Sequence, residues 1–476
     1  MSIRITFLKN WYQNGLLLVL IFIGIAPGLW QEIFTPTLPN LKEKLNVSYE
    51  VMGRMMSLRS MGNIAALIVT GYVYDSFPAY VGSMISVACF IGGLCTLIIP
   101  WCKQFWLVVV LFFIQSGFQN SMNNGAQLII LKTFKEKAVG KMQIYHLGYG
   151  IGGLLSGLIS QPFLSKSVSR NAKITKYCRK VLNETELGQI VPSIIGSNIS
   201  SIQIENRRLS FEYIYVIAGV VAILIAIVNF AYSFLPNPDA EKYQIKKREP
   251  WIKSIHPKYT ANGKICFGTT MTILLYLYYF FYIFGLLNFL PYIVVYAIDP
   301  CKKYYMTQKT SAYLHSAVNA CFLIGRIFGS IFSQFNPTAM ILTFNSFNVL
   351  FVFVLLFFSN DYAIALWIGA CGMRFCNSVV YPTGTSYINR FIIVSSTLIS
   401  IAFLGGTTGV IFGQYTGGFI IDNYPSYCIL YTCFGSMCML LGVTVLIIIL
   451  GSQTGLRAFS EDLKNEKQEE FNMSAK

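Results

Sequence analysis

Apolar residues gather along this chain in stretches of about 20 residues separated by shorter polar segments, and each stretch is long enough to cross a bilayer as a helix. The pattern predicts spans at about 14–38, 50–74, 79–100, 104–131, 139–164 and 211–235, then at 265–298, 309–334, 338–359, 362–388, 392–421 and 426–451. The expected fold is therefore an all-α integral membrane protein with twelve transmembrane helices in two six-helix bundles. The boundaries put the first bundle at 1–236, with a long polar loop at 165–208. A basic connector follows at 237–264, then the second bundle at 265–451 and a polar tail at 452–476.

The two sets of spans match at an offset of about 257 residues. Gly28 and Leu29 pair with Gly285 and Leu286, Gln31 with Asn288, Gly71 with Gly329, and Gly153 and Gly157 with Gly409 and Gly413. Internal symmetry of this kind suits a protein that alternates between two membrane faces, because two similar halves can rock about a central site.

Composition agrees: 54% of residues are hydrophobic and 12% charged, where a soluble domain carries about a quarter charged. The net charge of +16 does not indicate nucleic acid, since the basic residues sit mostly in loops. Lys242, Lys246, Lys247, Arg248, Lys253, Lys258 and Lys264 fill the central connector, and Lys132, Lys135, Lys137 and Lys141 the fourth-to-fifth one. This bias places both termini and the connector in the cytoplasm, with the plasma membrane as the default location. The glycosylation sequons at Asn46, Asn183 and Asn198 all then fall outside. The first span reads as an uncleaved signal anchor. Cys102, Cys178 and Cys301 lie in outer loops; one disulfide among them is open, and no spacing selects the pair.

Ionisable groups inside a bilayer are costly and so mark candidate functional positions. Glu32 is the one acid well inside the first span; it is either a coupling-ion site or an ordinary carboxylate near the outer interface. Arg59 lies about a turn and a half deeper than Arg54 and is placed to pair with Glu32 or meet substrate. His146 reads as a buried structural histidine whose titration range would suit proton coupling. His315 is expected near the outer surface, and Arg326 at an interface pair. Arg374, in the middle of the tenth span, is expected in a buried pair or in contact with an anionic substrate. The fourth span is rich in amides, and Gln119, Asn123 and Gln127 share one helical face. With Asn124, Gln143 and Asn288 they offer donors and acceptors suited to hydroxyl groups, and Trp30, Tyr145, Tyr149 and Tyr282 offer ring faces. Gly153 and Gly157, and the stripe holding Gly405, Gly409, Gly413 and Gly417, let helices approach closely; they read as a rocking surface, with plain tight packing as the compatible alternative.

Gly71-Tyr-Val-Tyr-Asp75 resembles the start of the signature between the second and third helices of the major facilitator superfamily, without the basic residues that normally follow. The resemblance implies a gating role for Asp75 with altered charge partners. Further strings resemble the sodium-dependent glucose transporter-like branch: Val47 to Gly53, Arg59-Ser-Met-Gly62, Met142 to Gly150 with His146 inside it, Gln161 to Leu164, Phe281 to Gly285, Tyr313-Leu-His315, Gly325-Arg326 and Tyr381 to Gly384. That branch carries an acid near the end of the first span and another in the fourth. This chain has Pro36-Thr-Leu-Pro-Asn40 and Gln119-Asn-Ser-Met-Asn-Asn124 there. A sodium site is expected to use anionic oxygens, so facilitated diffusion is at least as well indicated as sodium coupling.

The leading expectation is a secondary transporter moving a small polar solute, a hexose such as glucose, by alternating access. Two alternatives stand: a transporter of an anionic metabolite using Arg59, Arg374 and Arg326, or a non-transporting nutrient receptor. No zincin, P-loop or nucleophile-elbow string argues for an enzyme. No cofactor is expected beyond a coupling ion, sodium or proton, and the partners are the solute and the lipid bilayer around a monomer.

Overall fold

The computed structural model describes residues 2–134, 138–164, 211–235, 261, 264–299, 301–304, 306–332, 337–388, 391–392 and 396–455. Asn183, Asn198, Cys178, the loop 165–208, most of the connector and the tail beyond 455 lie outside the described residues.

The apolar stretches fold as helices. The first half holds α1 (Ser2–Glu32), α2 (Phe34–Leu45), α3 (Tyr49–Ser76), α4 (Val81–Ile98), α5 (Phe105–Phe134), α6 (Ala138–Ser160) and α7 (Glu212–Ser233). The second holds α8 (Ile265–Phe289), α9 (Ile293–Ala297), α10 (Gln308–Phe332), α11 (Pro337–Phe358), α12 (Ala363–Ile388), α13 (Ser396–Asn423) and α14 (Cys428–Leu450). Spans one and seven are each broken once. Pro36 has no N–H to give the Glu32 carbonyl, and Pro291 none for Leu287. The chain interrupts its helix at Ile33 in the first case and forms a 3₁₀ turn, Leu290–Tyr292, in the second. The first break lies beside a carboxylate, the second beside Phe289.

Packing repeats between the halves. In the first, α1 lies on α6 and α7, α4 on α5 and α7, and α3 on α5. In the second, α8 lies on α13 and α14, α11 on α12 and α14, and α10 on α12. These are the same pairings shifted by six spans. The halves meet along two seams, α6 against α10 and α3 against α13, which the same symmetry exchanges. Among the described residues, eight long helices meet a membrane-span criterion by length and composition. The four that do not, α3, α6, α10 and α13, are the seam helices. Polar positions on them such as Ser60, Ser156, Asn319 and Gln414 are buried against protein, where they can be satisfied, instead of facing lipid.

An even number of crossings leaves the start of α1 and the end of α14 on one side, here the terminal face. Toward the opposite face one apolar core runs through both halves, from Leu29, Phe34 and Met52 to Tyr292 and Leu440. Toward the terminal face the first half has a core of its own around Leu20, Ile23, Met122 and Tyr145.

The glycines divide in a way the sequence did not predict. Gly153 and Gly157 do sit on a seam: a Cβ on Gly157 would lie 2.6 Å from the Ala312 carbonyl oxygen. Gly409 and Gly413 instead face α8 within the second half, where a Cβ would lie 2.6 and 2.8 Å from the Phe280 and Phe284 carbonyls. Their stripe binds α13 to its own bundle, and Gly418, on another face of α13, meets Tyr49 and Gly53 across the seam.

Candidate functional site

The halves are joined by polar contacts placed toward the opposite face. On the α3–α13 seam, the Glu50 amide donates to Asp422, Ser57 donates to the Ile411 carbonyl (2.7 Å) and Ser60 to Gln414 Oε1 (3.3 Å). Gln308 of α10 donates to the Pro36 carbonyl and to Asn40 of α2. On the α6–α10 seam, Ser316 donates to the Leu154 carbonyl (3.1 Å) and Asn319 to that of Gly153 (3.3 Å).

Glu32 lies at this second seam, where the helix break leaves its side chain facing the other half. Its Oε1 accepts from the Tyr149 hydroxyl at 3.0 Å and lies 4.0 Å from Arg374 Nη2. Its Oε2 lies 3.5 Å from His315 Nε2. Asn319 completes the group, with its Nδ2 3.1 Å from His315 Nε2 and its Oδ1 3.5 Å from Arg374 Nη2. Arg374 stacks over Phe322, 4.3 Å from the ring centre, and Arg326 lies 5.1 Å from the same ring. One carboxylate of the first half is thus held by a histidine and a guanidinium of the second.

Proton placement in this group is constrained. If His315 Nε2 accepts from Asn319, the neutral ring has its proton on Nδ1 and offers Glu32 only a lone pair. If Nε2 carries a proton, it can face the carboxylate but not the Asn319 NH₂. A proton arriving on Glu32 or His315 changes which of these contacts is favourable.

The other candidates fall in different places. Arg59 is 7% exposed, rests on the Phe112 ring at 5.3 Å and makes no ion pair within 4 Å among the described residues. The expected Glu32–Arg59 pair is therefore not formed, and Arg374 takes that place. Arg54 pairs with Glu50, one turn away, as an exposed residue. Trp30 is buried to 1% against Gly92 and donates to Gln119 Oε1 at 3.0 Å, while Gln119 donates to Gln31. Its ring is a packing element and is not open to a solute. Asn288 is likewise fully buried; its amide nitrogen donates to Thr432 at 2.9 Å and its oxygen accepts from the Gly417 amide at 3.3 Å, tying α8 to α14 and α13. The Tyr145 hydroxyl donates to Asn123 Oδ1 at 2.6 Å, and Asn124 reaches Thr70 at 3.3 Å. Both amides keep polar atoms without a partner among the described residues, and Gln127 is half-buried on the same helix. His146 is half-buried beside the Tyr145 ring, with centroids 5.1 Å apart. The side chains of Asp75 and Gln143 lie outside the described residues. Asn46 is exposed in the left-handed conformation, φ 50°, capping α2. Cys301 is disulfide-bonded and Cys102 is free, which removes Cys102 from the pair.

His315 differs from its expected place near the outer surface in being enclosed by protein: it lies two turns after the start of α10 at Gln308 and is buried to 4%. The signal was present. Ala312, His315, Ser316, Asn319, Leu323 and Arg326 follow the three-and-four spacing of one helical face.

A family model described as Major Facilitator Superfamily matches residues 16–413. The chain belongs to that superfamily. Among its relatives, it is 21% identical over 422 residues to Sodium-dependent glucose transporter 1A of Mus musculus, covering 87% of this chain and 91% of the relative. It is 22% identical over 451 residues to Sodium-dependent glucose transporter 1 of Homo sapiens, covering 94% and 81%. Among solved structures, this major facilitator chain is similar to the nucleoside transporter NupG (TM-score 0.61, 10% identity, 91% of this chain and 99% of that one). It is also similar to the xylose transporter XylE of E. coli in a partially occluded inward open conformation (TM-score 0.62, 11% identity, 92% and 98%). These likenesses confirm the twelve-span fold.

Proposed function

We propose that this major facilitator protein moves a sugar, a hexose in the simplest case, by alternating access. The observation that carries the reading is the Glu32 group: a membrane-buried carboxylate of one half held across the seam by His315 and Arg374 of the other. Opening that seam breaks these contacts, so the group couples the position of the halves to charge. The relatives named as glucose transporters favour a sugar among small polar solutes, and the half-buried Asn123, Asn124 and Gln127 supply amide groups for its hydroxyls.

Proton coupling suits the group better than sodium coupling. A sodium site wants several oxygen ligands and gains from anionic ones, whereas Glu32 has a guanidinium 4.0 Å away. With the terminal face cytoplasmic, as the loop charges argue, the halves are joined on the outer side and the state is inward-facing. Uptake of labelled glucose is the test, in cells with the protein at their surface, in sodium and in choline media, at pH 5.5 and 7.5. Uptake independent of sodium and faster at the acid pH is expected. Uptake that requires sodium would refute proton coupling, and its absence throughout would refute the hexose reading.

A further inference from the structure

Charge is unbalanced at the centre of the molecule. Glu32 already has Arg374, His315 and the Tyr149 hydroxyl as partners. Arg59 lies within electrostatic reach of Glu32, Tyr149 and Tyr215, is 7% exposed, and has no carboxylate within 4 Å and no hydrogen bond from any described residue. A guanidinium buried without a hydrogen-bonded counterion is strongly unfavourable, and inside a membrane it marks a site whose partner arrives from solution.

Its place in the fold points the same way. The next residue, Ser60, bonds Gln414 across the seam, and Met61 beyond it is 46% exposed. Arg59 therefore stands where the joined part of α3 gives way to its exposed part, facing the interior of the first half over Phe112. A guanidinium fork matches a carboxylate by two parallel hydrogen bonds. A neutral hexose would fill the amide groups but leave this charge unanswered.

Resting on the sugar reading above, we infer that the solute bears one negative charge, as a hexuronate or similar sugar acid does, and that Arg59 binds its carboxylate. The same charge could arrive as a free anion moving with a neutral sugar, and the experiment separates the two sources. The full chain is purified into nanodiscs. Binding of glucuronate, of its neutral isostere glucuronamide and of glucose is then measured in chloride and in isethionate buffers.

Glucuronate is expected to bind about tenfold or more tightly than glucuronamide in both buffers. Arg59→Gln should abolish that preference, and Arg59→Lys should keep part of it. Equal binding of glucuronate and glucuronamide by the unaltered protein overturns the proposal without any variant having to fold. So does an undiminished preference in Arg59→Gln, which would leave Arg59 as a partner for Glu32 in another state. Glucose binding that needs chloride would assign the anion to the buffer and overturn the sugar acid. Binding of glucose alone overturns the charge and keeps the sugar reading; binding of none of the three overturns the sugar reading itself.

Discussion

The two seams are related by the symmetry of the fold but are built from different chemistry. On α6–α10, the break in the first span presents Glu32 to His315, Asn319 and Arg374. On α3–α13, the equivalent break in the seventh span has Phe289, 257 residues after Glu32 by their numbers, fully buried. There the Tyr292 hydroxyl donates to the Gln414 carbonyl at 2.8 Å, and Ser57, Ser60 and the Glu50 amide, which donates to the Asp422 carboxylate, supply cross-seam hydrogen bonds. Both seams are closed by small residues, Gly153 and Gly157 on one, Gly53 and Gly418 on the other. Duplication thus supplied two equivalent hinges, and a buried ionisable lock stands at only one of them among the described residues. Closure of the α3–α13 seam, neutral in that no ion pair crosses it among the described residues, depends on packing, hydroxyls and the bond from the Glu50 amide to Asp422, while closure of the other depends on a carboxylate held by a histidine and a guanidinium.

The sharpest way to break this comparison is Glu32→Gln, which keeps the shape and an acceptor for Tyr149 but removes the charge. If the carboxylate locks the seam, uptake should fall by about tenfold or more and lose its pH dependence. Glu32→Ala should in addition lower thermal stability by about 3–5 kcal/mol, because Arg374 is left buried without its counterion. Unchanged uptake by Glu32→Gln would make the two seams equivalent after all.

Next in size is a comparison of glycines. Gly157→Val presses on the Ala312 carbonyl across the α6–α10 seam, and Gly413→Val on Phe284 within the second half. Each should cost about 1–3 kcal/mol through overpacking, but with different outcomes. Gly157→Val should stay monodisperse and shift toward states with that seam open, read as faster thiol labelling of Ser316→Cys. Gly413→Val should lower the melting temperature without changing that labelling. The reverse result would return the Gly409 and Gly413 stripe to the role the sequence suggested for it.

That stripe shows what was legible in the sequence and what was not. Span number and the repeat follow from hydropathy, and the structure bears them out; the helix breaks near Pro36 and Pro291 fall inside spans that the hydropathy pattern reads as continuous. A glycine every fourth residue reveals that a helix approaches something closely, but not which neighbour. Gly418, one residue beyond Gly417, faces the opposite partner. Glu32 and Arg374 were visible as misplaced charges, yet their pairing depends on how α1 and α12 meet across the halves, which no local pattern records. His315 lies two turns after the start of α10, which begins within one residue of its expected place; what the sequence does not record is that this face of α10 packs on the first half and buries the ring. Trp30 and Asn288 had suitable groups for a solute, but Gly92 and Thr432 occupy the space and bonds they would have used.

A smaller effect tests the neutral seam directly. Gln414 accepts from Ser60 through its side chain, and Gln414→Leu removes that bond while keeping the volume. A neutral hydrogen bond contributes about 0.5–1.5 kcal/mol, so uptake should change by no more than about tenfold and its pH dependence should be unaltered. A pH profile shifted by Gln414→Leu would mean that the two seams are coupled electrostatically as well as mechanically.

The smallest predicted effect concerns the amides of α5, which belong to one half and to neither seam. Asn123 accepts from Tyr145 while its NH₂ has no partner among the described residues, so Asn123→Leu removes both a structural acceptor and a group available to a solute. Tyr145→Phe removes the structural bond alone and frees the Asn123 oxygen. If Asn123 lines the solute path, Asn123→Leu should weaken uptake several-fold, about 1 kcal/mol in binding, with surface expression unchanged. Tyr145→Phe should lower stability by about 1 kcal/mol and leave affinity the same or slightly higher. Equal effects of the two variants on uptake would identify the bond, and not the amide, as what matters.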